Sequence, residues 1–234
     1  MNGETRRVSL RLDGSRIELA GYEPEATVRE LIEEIERFRL RRTELITARC
    51  AGCGLCCNQR IPVFAEDMER LCGLRPELET PEERRAFLDG VLEYPEPPDM
   101  DAREQGVRDM VRDMGMTIPE ATAIYEYNQA EPIFLRHGAD DRCVFLRERM
   151  CTIYGYRPIT CRFYVCNMGD RLSVLQERMV TEGSWHAYRA LGWTGGVDLS
   201  HNAFADAGSA WDLRCRRFEP DADPAEAEKL FFYF

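Results

Sequence analysis

Four cysteines fall within eight residues, Cys50-Ala-Gly-Cys53-Gly-Leu-Cys56-Cys57, and four more, Cys143, Cys151, Cys161 and Cys166, form a second group far downstream. Thiolates are soft ligands that suit zinc, iron–sulfur clusters and copper(I). Two short-spaced blocks that each supply several thiols read as two halves of one metal site, or of two adjacent sites. Ten unrelated buried cysteines would not cluster in this way. A disulfide framework would need an oxidising compartment, and a thioredoxin-like pair would need only one C-x-x-C.

Cys50, Cys53 and Cys56 have C-x-x-C-x-x-C spacing, which lets three thiols of one loop reach three corners of a cubane. Gly52 and Gly54 permit the sharp turns such a loop needs. A ferredoxin run would continue with x-x-x-C-P, whereas here Cys57 follows at once. Neighbouring residues point in different directions, so Cys56 and Cys57 make poor co-ligands of one ion. The adjacency favours two centres, or one cluster and a spare thiol, and the fourth ligand of a cubane must come from the second block. Zinc is the rival, because C-x-x-C pairs from two places in a chain supply its four tetrahedral ligands, and eight cysteines divide evenly into two such sites.

Two cysteines stand apart. Cys72, near Met68 and Leu71, reads as a buried structural thiol. Cys215 is flanked by Arg214, Arg216 and Arg217, surroundings that could activate a thiol, although an ordinary position in a helix or strand explains it more simply. His137 precedes Cys143 by six residues and is a candidate to join the site; His186 and His201 are scattered. No Ser-His-Asp arrangement, P-loop or G-x-G-x-x-G is present.

Charge is distributed unevenly. Net charge is −11, and residues 62–131 hold eighteen acids against seven bases. Residues 133–169 reverse the sign, with six arginines against three acids. A thiolate-ligated metal is usually net anionic, so Arg157 and Arg162 are expected to supply charge and hydrogen bonds around it. An acidic chain argues against broad nucleic-acid binding. Hydrophobic content of 44% and charged content of 31% are those of a globular protein. The chain shows neither a membrane-spanning apolar run nor a secretory leader, so no membrane partner and a cytoplasmic location are expected.

The elements that must position these thiols can be read in outline. Residues 7–19 predict a β-hairpin, with Val8, Leu10 and Leu12 alternating before the Asp13-Gly14 turn and Ile17 and Leu19 after it. A helix is expected from Pro24 to Ile46, on the spacing of Val28, Leu31, Ile32, Ile35 and Phe38. Residues 1–48 thus form a ββα element. After the extended Ile61-Pro-Val-Phe64, helices are predicted over Ala65–Cys72, from the Thr80-Pro-Glu-Glu83 capping box, and over Asp99–Met114, ending at Gly115. The acidic segment 62–131 reads as a helical insertion between the cysteine blocks. Cys143–Leu146 and Cys151–Tyr154 predict a second hairpin, followed by a turn at Gly155–Pro158. Residues 170–234 read as a C-terminal extension packed on the core, with a short helix from Asp223-Pro224 and a docked Leu230–Phe234 tail.

Several motifs occur together and in order: Cys50-x-x-Cys53-Gly54-x-Cys56-Cys57, Ile61-Pro-Val leading into Asp67-Met-Glu-Arg-Leu71, Cys143-x-Phe145-Leu146, Cys151-x-Ile153-Tyr154, Arg157-Pro158 and Cys161-Arg-Phe-Tyr164. Over roughly residues 50–166 this set resembles the CxxCxxCC (YkgJ-like) cysteine-cluster family, described as zinc- or iron-chelating. The resemblance implies a metal site built by both blocks, and an activity, since the family includes flagellin lysine N-methylases. The family commonly has proline soon after Cys-Arg-x-Tyr, whereas this chain has Val165-Cys166, which leaves Cys166 as an eighth ligand or a bystander.

The expectation is therefore an α+β protein comprising an N-terminal ββα element (1–48), a cysteine-cluster domain (49–169) and a C-terminal extension (170–234). Its ligands would come from Cys50, Cys53, Cys56, Cys57, Cys143, Cys151, Cys161 and Cys166, holding a 4Fe–4S cluster or, alternatively, zinc. Its work would be electron transfer with a protein or redox partner, or cluster-assisted modification as an oxidoreductase or methyltransferase. The zinc alternative is a non-enzymatic interaction protein.

Overall fold

A computed structural model describes residues 7–41, 54, 56–96, 99–129, 131–164, 166–192 and 215. The N-terminal hairpin pairs β1 (Val8–Asp13) with β2 (Arg16–Tyr22), and Gly14, at φ +58°, makes the left-handed turn between them. Helix α1 spans Val28–Arg41. It begins four residues beyond the predicted start at Pro24, because Thr27 and Glu30 close a capping box: Thr27 N donates to Glu30 Oε2 (2.9 Å) and Glu30 N to Thr27 Oγ1 (3.3 Å). Pro24 instead sits in the preceding turn, where Ala26 N donates to the Glu23 carbonyl. The expected continuation of α1 to Ile46 lies outside the described residues.

Among the described residues four helices follow between the cysteine blocks. They are α2 (Ala65–Cys72), α3 (Pro81–Val91), α4 (Met100–Met114) and α5 (Ile118–Gln129). Thr80 and Glu83 form the predicted box at α3, and Asp99 caps α4 through the amides of Asp101 and Ala102. Gly115 ends α4 in the left-handed conformation. Helices α2 and α3 are built into the core, whereas α4 and α5 pack chiefly on each other.

Strand β3 (Leu92–Glu93) pairs with β4 (Phe134–Leu135), and the Ile61–Val63 stretch flanks β4 on its other side. Leu135 N donates to the Ile61 carbonyl at 2.9 Å and Val63 N to the Ile133 carbonyl at 2.8 Å. These bonds close the base of the 62–131 segment and bring its two ends, and so both cysteine blocks, together.

The second block forms a shorter hairpin than its β-prone runs suggest, β5 (Leu146–Arg147) with β6 (Met150–Cys151). Its turn residues Glu148 and Arg149 both have positive φ, +47° and +70°. A 3₁₀ turn at Tyr154–Tyr156 leads into the short helix α6 (Ile159–Phe163), so Cys161 sits on a helix. Helix α7 (Asp170–Gly192) is long and was not anticipated, although Leu172, Leu175 and Met179 carry a helical period. The predicted helix at Asp223 and the Leu230–Phe234 tail lie outside the described residues.

Two apolar cores result. The first joins the N-terminal hairpin and α1 to Phe64, α6, α7 and Cys215. Ile17 of β2 exchanges backbone bonds with Asn167 and Gly169, which ties the hairpin to the start of α7. The second core gathers Ile61, Val63, Met68, Leu71, Leu88, Leu92, Ile133, Leu135 and Ile153, with Cys72 and Cys143. Helix α2 lies between them, with Phe64 before its first turn in one core and Met68 and Leu71 in the other. The chain is thus α+β, made of helices and small antiparallel strand pairs. Among the described residues no helix is long and apolar enough to cross a membrane.

Candidate metal centre

The second core has an open side, and the thiols collect there. Cys56, Cys57, Cys143, Cys151, Cys161 and Cys166 line one cavity together with Gly54, Arg149, Arg157, Tyr154 and Tyr164. It encloses about 40 Å³, several times the ~10–15 Å³ that admits a single water.

Backbone bonds, not chance proximity, make the two blocks meet. Cys56–Asn58 is a single 3₁₀ turn, entered through Gly54 at φ +68°. Cys143 N donates to the Cys57 carbonyl at 2.8 Å. At Gly54 a Cβ would meet the side chain of Leu146 and approach the Arg149 carbonyl, so the β5–β6 turn closes directly over the first cysteine loop. Asp67 makes the other tie. It is fully buried, its Oδ2 accepting from Phe64 N (3.0 Å) and its Oδ1 from Ile159 N (2.8 Å). It thereby fixes the start of α6, and with it Cys161, to the start of α2.

The electrostatics suit a cation. Burial pushes the thiols of Cys143, Cys151 and Cys161 above their ordinary range, and neighbouring cysteines add to the effect. Cys56 is the exception. Its thiol is pulled down by a hydrogen bond from Cys57, and, against burial, by the charges of Arg157 and Arg39. The same bond holds Cys57 up as the protonated partner. Six soft donors therefore face one space with no carboxylate or imidazole among its lining residues, a donor set that fits zinc or iron with sulfide and not a hard cation. Among the described residues no three Cys, His, Asp or Glu side chains stand close enough to grip an ion by themselves. Cys50 and Cys53 lie outside the described residues.

The two arginines singled out by charge have different positions. Arg157 is buried and lines the cavity, with its guanidinium 3.7 Å over the Tyr154 ring and its Nε donating to the Tyr154 carbonyl at 2.9 Å. Arg162 is not among the lining residues and forks onto Glu36 of α1, with Nε–Oε1 at 3.0 Å and Nη2–Oε2 at 2.8 Å. Burial alone would raise the Glu36 carboxyl, but Arg162, with Arg157 and Arg39, holds it below the usual range. Arg162 thus clamps α6 to α1 beside the site. His137 is engaged elsewhere, Nε2 with the Gln59 carbonyl (3.1 Å) and Nδ1 with Asp141 (3.2 Å). Cys72 is buried in the second core and Cys215 in the first, where its amide donates to the Ala26 carbonyl. Arg39, Arg149 and Tyr164 were not singled out as site residues, although Arg149 lies in the basic second block and Tyr164 closes the Cys161-Arg-Phe-Tyr164 motif.

A family model described as "Putative zinc- or iron-chelating domain" matches residues 49–183, more than half of the chain. The chain belongs to the CxxCxxCC family. No curated protein and no solved structure matches it. The matched region runs past Cys166 well into α7, which packs against the start of α2. Gly183 lies against the ring of Phe64, where a methyl group would collide, so α7 is seated on the residue that opens α2. Cysteine-ligated chelation of a metal is the property this membership and the cavity share.

Proposed function

We propose that the cysteine cavity holds an iron–sulfur cluster, with Cys50, Cys53 and Cys56 and one thiol of the second block as its ligands. The observation that carries this reading is the convergence of thiols from two distant blocks on one cavity that also receives Arg149 and Arg157. The C-x-x-C-x-x-C spacing supports it, since three thiols of one loop suit a cubane. When bound, such a cluster supplies one-electron chemistry. The function that follows is electron transfer, or cluster-assisted modification of a protein or small molecule. Protein lysine N-methylation, brought by the family resemblance, is one such modification.

The thiol count favours a second reading. Six cysteines line the cavity, more than the four a cubane takes, and a surplus suits two four-thiolate zinc sites that staple the fold. The full chain purified without oxygen separates the two, by visible absorption and by assay of iron, acid-labile sulfide and zinc. Brown protein with a broad band near ~400 nm, with iron and sulfide in equal amounts, supports the cluster. Colourless protein with stoichiometric zinc overturns it in favour of the structural site.

A further inference from the structure

Behind the cavity wall sits a guanidinium that the described residues satisfy only in part. Arg39, in the last turns of α1, is 4% exposed. Its Nη2 donates to the Tyr154 hydroxyl at 3.3 Å, but Nε and Nη1 are buried without any hydrogen-bond partner. Arginine is almost never buried unless paired, and a buried charge left unpaired is strongly destabilising. The nearby Glu36 carboxylate feels the Arg39 charge but makes no hydrogen bond to it, its oxygens accepting instead from Arg162 and, at Oε1, from Arg157.

Tyr154 connects this charge to the site. It lines the cavity, carries the Arg157 guanidinium over its ring and accepts from Arg39 at its hydroxyl. Two guanidiniums are therefore mounted on one aromatic side chain at the edge of the thiol cluster. The charges of both reach the Cys56 thiol. Glu36 is the carboxylate that answers these two charges, and a metal–thiolate centre would bring further negative charge on the cavity side, whichever metal it holds.

We propose that Arg39 is a positioning residue for the metal–thiolate centre, its buried and unpartnered guanidinium edge serving as a counter-charge on the α1 side. This rests on the reading of the cavity as a metal site, but not on the metal being iron. Arg39 is costly to the metal-free protein and repaid in the loaded one, whereas a merely structural arginine would support both states alike.

The test compares wild type, Arg39→Met and Arg39→Lys as reduced full-length chains. Zinc(II) affinity is measured by competition with a chromophoric chelator, and the melting temperature is taken with and without zinc(II). Arg39→Met is expected to weaken zinc(II) affinity by about 10–100-fold, as loss of an outer-shell partner does, while the metal-free melting temperature holds or rises. Arg39→Lys, which keeps the charge, should recover part of the affinity. In an iron–sulfur-loaded protein, Arg39→Met should also lower the reduction potential, because a nearby cation favours the more negative reduced state. An unchanged affinity in Arg39→Met, or equal losses of stability in the metal-free and loaded forms, overturns this proposal alone. A wild-type chain that binds neither zinc nor iron with sulfide overturns the metal reading, and this inference with it.

Discussion

Asp67 offers the sharpest test of how the two halves of the site are joined. Its carboxylate accepts one amide from each half, Phe64 N at 3.0 Å and Ile159 N at 2.8 Å, and it has no exposure to solvent. Asp67→Ala strands both amides in the interior. Each buried unpartnered donor costs about 1–3 kcal/mol, so the pair costs about 2–6 kcal/mol. A domain of ordinary stability has only about 5–15 kcal/mol in total. Asp67→Asn keeps one acceptor and turns an N–H toward the other amide, so it should cost about half as much. Urea unfolding of the metal-free chain measures both. A loss below ~1 kcal/mol for Asp67→Ala would mean that the amides find water or other partners, and that Asp67 is not the tie described.

The same residue makes a prediction in pH. Burial pushes its carboxyl up to about 7 from 3.8, against the pull of the two amides and Arg70. A raised acid in the folded state gives stability that is greatest below the unfolded value and is lost as pH rises toward the folded one. Wild type should therefore lose stability relative to Asp67→Asn between pH 4 and pH 7, by up to about 4 kcal/mol at ~1.4 kcal/mol per unit. The penalty of Asp67→Asn should shrink across that range and level off above it. A penalty that grows with pH would show that the amides outweigh burial and that the folded carboxyl is held low.

Three further substitutions follow from the packing and the ligand assignment. Gly183→Ala should destabilise by about 1–3 kcal/mol in thermal or urea melts, because the methyl meets the Phe64 ring; in an exposed helix the same change would stabilise by ~1 kcal/mol, so the sign alone is decisive. Arg149→Gly should raise the stability of the metal-free chain by about 0.5–1 kcal/mol, since φ +70° is cheap only for glycine, and an unchanged midpoint would argue against strain in the β5–β6 turn. Cys53→Ser should abolish metal retention by elemental assay, whereas Cys72→Ala, buried in the second core, should retain it; full metal in both would contradict the ligand set.

The parts of this fold that were legible in the sequence are those set by local chemistry. Asp13-Gly14, Thr80-Pro-Glu-Glu83, Asp99 and Gly115 each act within a few residues of themselves, and each stands where it was expected. Pro24 misled because proline suits a turn as well as a first helical position, and the Thr27–Glu30 box decides between them. Helix α5 carried a usable signal in Thr117 and Glu120, which cap each other as Thr80 and Glu83 do. What cannot be read from spacing is which side chains meet across the chain. Arg157 and Arg162 look equivalent in the sequence, yet one enters the cavity and the other clamps Glu36. The burial of Arg39 depends on α1 meeting a tyrosine more than a hundred positions away.

Among the described residues the walls of the cavity are joined by bonds in which no cysteine thiol takes part. In small zinc modules the ion replaces a core, and removing it unfolds the chain. Here Ile61–Val63 pairs with Ile133–Leu135 and the Cys57 carbonyl holds Cys143 N, both through backbone groups, and the buried Asp67 carboxylate joins α2 to α6. Two apolar cores stand behind these bonds. The buried thiols and the unpartnered edge of Arg39 are then costs carried by these walls, and they fall on groups beside the cavity. On the proposed reading, metal binding would relieve local electrostatic frustration in walls that other contacts already join, and would not have to fold the domain.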